Sequence, residues 1–137
     1  MLRFAAIFAL GLPLAACAST PPADGMITLT GSIAYRERVA LPPSARIEVR
    51  LDDVSLADAP ARTLARQEFA ADGKQVPFAF SLTVDRAQID PRHSYAVAAR
   101  ISDGEGKLMF VTDTRNSVAF DTGATVDMGT LMLVMTR

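Results

Sequence analysis

The stretch "RIEVRLDD", Arg46 to Asp53, alternates charged and apolar residues as far as Asp52. Ile47, Val49 and Leu51 fall on one side, and Arg46, Glu48, Arg50 and Asp52 on the other. A period of two belongs to a strand, because a helix would scatter these residues around its axis. The pattern predicts a strand with one face in a core and one face in water.

The same alternation recurs on both sides. "MITLTGSIAYRER" sets Ile27, Leu29, Ile33 and Tyr35 opposite Thr28, Thr30 and Ser32. "QVPFAFSLTV" aligns Val76, Phe78, Phe80, Leu82 and Val84, with Pro77 placing its start at an edge or outside the ladder. "SYAVAARIS" aligns Tyr95, Val97, Ala99 and Ile101. "RTLARQEFA" suits a helix by propensity, but its length and neighbours favour a strand. "LMFVTDT" and "TVDMGTLMLVM" complete the set, with Gly129 a candidate bulge.

Turn signals separate these runs: "LPPS", "ADAP", "DGEGK" and "DTGA". In "DRAQIDPRH", Asp85 is placed to cap one helical turn that Pro91 stops. Seven short, mostly antiparallel strands with no amphipathic helix between them predict an all-β domain, a small β-sandwich or barrel, over residues 26–137.

Ahead of this domain the composition changes. Arg3 supplies one positive charge, and Phe4 to Ala16 then run without any charge. That order reads as an export signal over residues 1–16. The run is too short for a spanning helix of about 20 residues, and Gly11 and Pro13 weaken it further. "LAAC", Leu14 to Cys17, holds the only cysteine, which has no partner within the chain for a disulfide and no nearby histidine for a metal site. The tetrapeptide resembles a bacterial lipobox. That resemblance implies cleavage before Cys17, diacylglycerol on its sulfur and acylation of the new amino end. Ala18 stands where an aspartate would resemble an inner-membrane retention signal, which implies outer-membrane delivery facing the periplasm. Residues 17–25 read as the lipidated start and a linker, whose eight residues from Ala18 reach about 29 Å at most.

Charge narrows the function. The chain has 14 basic and 15 acidic residues, and loss of Arg3 with the signal leaves a net charge of −2. That balance gives no electrostatic case for nucleic acid. With half of its residues hydrophobic, the domain has enough apolar side chain for a core without disulfides.

Motifs that suggest chemistry fail on spacing. "DTGA", Asp121 to Ala124, looks like an aspartic protease triplet, but only 14 residues follow Gly123, so a turn is expected. "GEGK" lacks the spacing of a phosphate loop. His93 has no legible nucleophile beside it and is expected to make one hydrogen bond where a strand begins. Asp52, Asp53 and Asp58 lack the tight spacing of a calcium loop and are expected to cap turns. Met128, Met132 and Met135 are expected in the core of the last strand. No catalytic, cofactor or metal residue is assigned.

Four blocks carry a family likeness: Tyr35-Arg36-Glu37-Arg38, Leu41-Pro42-Pro43, Asp53-Val54-Ser55, and Ile89-Asp90-Pro91-Arg92-His93-x-Tyr95. With their spacing they resemble the YbaY/YscW lipoproteins over roughly residues 27 to 135. The resemblance implies an outer-membrane lipoprotein with a small β-sandwich. It also implies a non-enzymatic pilot or chaperone role toward a secretin or another outer-membrane protein. The second reading is a structural or stress-related envelope lipoprotein without a dedicated client, in contact with polysaccharide. Some relatives add a META-type domain, which is not expected here.

Overall fold

Strand-forming alternation becomes a single continuous sheet in the computed structural model, which describes residues 25–136. The expected signal segment, Cys17 and linker residues 18–24 lie outside the described residues. Eight strands form: β1 (Met26–Tyr35), β2 (Arg46–Asp53), β3 (Arg62–Ala70), β4 (Phe78–Asp85), β5 (Tyr95–Ser102), β6 (Leu108–Val111), β7 (Asn116–Ser117) and β8 (Thr125–Met135). The sheet runs β3-β2-β5-β6-β8-β1-β4, with β7 beside β5. It is a nearly closed, barrel-like sheet, since the two end strands approach each other. The Ser81 amide of β4 donates to the side chain of Gln67 on β3 at 2.9 Å, and the Phe69 and Phe78 rings lie 5.9 Å apart.

Alternation sets the core. Ile27, Leu29, Ile33, Ile47, Val49, Leu51, Leu82, Val84, Val97 and Ile101 are all essentially inaccessible to water. The ambiguous run 62–70 is strand β3, antiparallel to β2 from Ala70 opposite Arg46. Pro77 lies just before β4, outside the ladder. Asp85 caps a single 3-10 turn, Arg86–Gln88, by accepting the Ala87 amide at 2.9 Å.

The structure adds two details to the expected, mostly antiparallel sheet and corrects one expectation. There is an eighth strand, and two residues are too few for alternation to reveal it. β1 and β8 pair in parallel, whereas the other pairs are antiparallel. Met132 and Met135 are exposed, at 37% and 44%, while Met128 packs against the core. The bulge explains Met132. Gly129 has φ +66°, and the register of β8 against β1 slips there, which turns the following residues over.

The outer face of β3-β2-β5 is a lattice of charge. The buried Glu48 carboxylate accepts from Arg66 at 2.6 Å, Arg100 at 3.1 Å and Arg50 at 3.3 Å. The pairs from Arg66 on β3 and Arg100 on β5 cross to Glu48 on β2 and hold the three strands in register on the wet side, while Arg50 braces the same carboxylate from within β2.

The pairing defines two ends. Met26, Asp53, Asp85, Tyr95 and Thr125 mark the near end, where the chain enters β1. Tyr35, Ser102 and Met135 mark the far end.

Candidate functional site

At the near end, two sequence blocks meet. Asp53 closes β2, and its Oδ1 accepts from the Ser55 hydroxyl at 2.5 Å and the Ser55 amide at 3.0 Å. Its Oδ2 lies 2.7 Å from His93 Nδ1. Ser55 Oγ in turn accepts the Ser94 amide at 2.9 Å. These bonds, with His93 in second place after the Ser55 hydroxyl, hold the Asp53 carboxyl down at about 2. Asp90 is likewise held at about 2, chiefly by Arg92. The Asp90 amide donates to Tyr95 Oη at 2.8 Å. Asp53-Val54-Ser55 and the segment from Asp90 to Tyr95 are therefore one network, stitching the end of β2 to the start of β5.

The arrangement does not build a nucleophile. Ser55 donates to Asp53, not to His93, so no serine is activated by the imidazole. The other acidic candidates do not converge. Asp52 pairs with Arg50 and accepts from Thr63, and Asp58 stands exposed in a loop. No group of three metal-ligating side chains occurs among the described residues. "DTGA" forms a turn in which Asp121 Oδ1 accepts the Gly123 amide at 2.7 Å. "GEGK" is part of the hairpin turn between β5 and β6, with Gly106 at φ +88°.

The far end is chemically different. Leu108, Phe110 and Met135 come together below Pro42 and beside Met109, around an open groove of about 410 Å³. The sheet is thin there, because β6 holds β8 through only two residue pairs. Phe110 is fully buried and stacks on Tyr35 with centroids 3.9 Å apart, giving the groove a rigid floor. Leu108 and Met135 stay 38% and 44% exposed, so apolar surface faces water. Beside them, Glu37 Oε1 accepts the Met135 amide at 3.4 Å, and Glu37 Oε2 is buried without a partner. Burial, and secondarily the charge of Glu37, raises the Tyr35 hydroxyl pKa. Sequence reading missed this groove, because its parts are scattered from residue 42 to residue 136. The available signal was the run of large apolar residues at the ends of β6 and β8.

Residues 25–129 match the family described as "Type III secretion system lipoprotein chaperone (YscW)". The chain belongs to the YscW family. The YscW-family assignment covers nearly all of the described strands. The Escherichia coli (strain K12) protein described as "Uncharacterized lipoprotein YbaY" is 38% identical over 111 residues, or 81% of this chain. The chain spans 58% of the length of that relative. Among solved structures, an alternative pilotin from the type II secretion system of Vibrio cholerae superposes with a TM-score of 0.72 at 46% identity, covering 82% of this chain and 98% of the pilotin chain. The barrel-like YscW-family fold is thus also that of a pilotin.

Proposed function

We propose that this chain is an outer-membrane lipoprotein, anchored through Cys17 and facing the periplasm, that binds an apolar segment of a secretin-like client and assists its assembly. The observation that carries this reading is the far-end groove. It presents Leu108 and Met135 to water above a buried aromatic floor, as surfaces awaiting a partner do. Its position supports the same reading. The groove opens opposite the end where the chain enters β1, so a tether at Cys17 would leave it free. Likeness to the Vibrio cholerae pilotin supports the choice of client class.

The test is crosslinking in living cells, with mass spectrometry of what is recovered with the lipidated protein. Three versions run together: unaltered, Cys17→Ser, and the pair Leu108→Glu with Met135→Glu. A secretin-like outer-membrane protein should be recovered with the unaltered protein. Recovery should fall at least about tenfold in the groove variant, because a buried apolar anchor contributes more than about 1.4 kcal/mol. It should also be lost with Cys17→Ser. Recovery of abundant envelope proteins alone would overturn the proposal.

A further inference from the structure

A second hollow, of about 340 Å³, opens at the near end, away from the groove proposed for the client. Its floor is the Tyr95 ring and its wall the Phe120 ring, which meet edge to face with centroids 5.5 Å apart. Its polar lining comes from His93, Asp90, Asp121 and Arg86. We propose that this hollow is a saccharide site, taking one neutral pyranose ring against Phe120 with its hydroxyls on His93, Tyr95 and Asp121.

The polar groups are left with unused capacity. Asp53 accepts at His93 Nδ1, so that nitrogen carries the proton and Nε2 is the free nitrogen. Its closest carboxylate oxygen, on Asp90, is 3.8 Å away, beyond hydrogen-bond distance. Tyr95 is only 4% exposed and forms the floor of the hollow; its Oη accepts the Asp90 amide and retains its own proton to donate. Asp121 uses Oδ1 on the Gly123 amide, which leaves Oδ2 for a ligand. Acceptors and a donor therefore stand side by side along an aromatic wall. A sugar ring matches that combination, with C–H groups on its faces and hydroxyls at its edge.

Charge decides against an ionic ligand. Arg86 lies at the rim, its two arms donating to the carbonyls of Asp121 at 2.8 Å and Gly123 at 2.7 Å. Asp90 is already neutralised by Arg92 at 3.0 Å. The two arginines balance the carboxylates of Asp90 and Asp121, and the ionised Asp53 behind His93 leaves a slight negative excess, so an anion gains no attraction; no group of three metal-ligating side chains among the described residues offers a metal cation a site. A neutral ligand with many hydroxyls needs neither.

The test is an NMR titration of the folded domain with three probes: the N-acetylglucosamine trisaccharide, maltotriose and lipopolysaccharide micelles. The first two present a soluble glycan, and the third presents the same ring chemistry in a lipid headgroup. Saturable shifts at His93, Tyr95 and Phe120 with any probe are expected. Affinity should fall at least about tenfold in Phe120→Leu, which keeps an apolar side chain but removes the ring, and in Asp121→Asn, which keeps the oxygen bonded to the Gly123 amide. Asp121 is exposed, so that variant should fold whatever happens to Phe120→Leu. No saturable shift with any probe, or shifts undiminished in Asp121→Asn, would overturn the proposal. Because the client groove lies at the other end, either result leaves crosslinking of the Leu108 and Met135 variant unaffected.

Discussion

Two carboxylates show how a side-chain network becomes a pH-dependent clasp. His93 reaches back forty positions in sequence to Asp53, and through Asp53 to Ser55. Asp53 and Asp90 both hold their protons far more weakly than the ordinary carboxyl, at about 2 against a usual 3.8. The unfolded chain therefore binds more protons than the folded one between about pH 4 and pH 2. Stability from these groups is present above that window and is lost as pH falls through it. Melting temperature measured from pH 5 to pH 2 should fall steeply for the unaltered protein. Asp53→Asn should start lower and show a shallower slope. An identical slope in both would mean that the Asp53 clasp contributes nothing to the acid limb.

Two glycines decide how the strands of β1 and β8 fit. Gly31 lies where β1 passes the β8 bulge, and a Cβ there would sit 2.6 Å from the Gly129 carbonyl and 2.9 Å from the Phe80 ring. Gly129 holds the bulge in a left-handed conformation that a β-branched residue resists. Gly31→Ala and Gly129→Val should each destabilise the domain by about 1–3 kcal/mol in urea unfolding, through overpacking and backbone strain respectively. A loss below about 0.5 kcal/mol in both would show that the crossing can shift at little cost. The strands themselves were legible, because Ile47, Val49 and Leu51 or Phe78, Phe80 and Leu82 can satisfy a period of two only as strands. Gly129 was legible as a bulge for a similar local reason. The parallel partnership of β1 and β8 was not, since Leu29 and Val126 lie opposite each other with no sequence signal linking them. Nor was β7, too short to show a period. At the sites, His93 was legible as a hydrogen-bonding residue at a strand entry, but its partner forty positions back was not. The far-end groove was invisible because closure of the sheet, and no single run, brings Pro42 to Leu108 and Met135.

Closure itself is incomplete, and it is managed by side chains. β3 and β4 are the terminal strands of the sheet, so each presents a row of backbone groups without a ladder partner. Where they approach, Gln67 stands in for a strand by accepting the Ser81 amide, and Phe69 packs against Phe78 beside it. A seam closed this way keeps a barrel-like core dry without a continuous hydrogen-bond ladder. It also concentrates opening at one line, leaving the two ends supported by β1, β2 and β5. Native-state hydrogen exchange should read that directly. Amides of β2 and β5 should exchange only with global unfolding, and those of β3 well before it. Gln67→Ala should accelerate exchange at Ser81 by about 10- to 100-fold, yet cost no more than about 1 kcal/mol of global stability, since one exposed neutral hydrogen bond is lost. If Ser81 exchanges at the same rate in both proteins, Gln67 does not close the seam, and the Phe69–Phe78 contact alone must hold it.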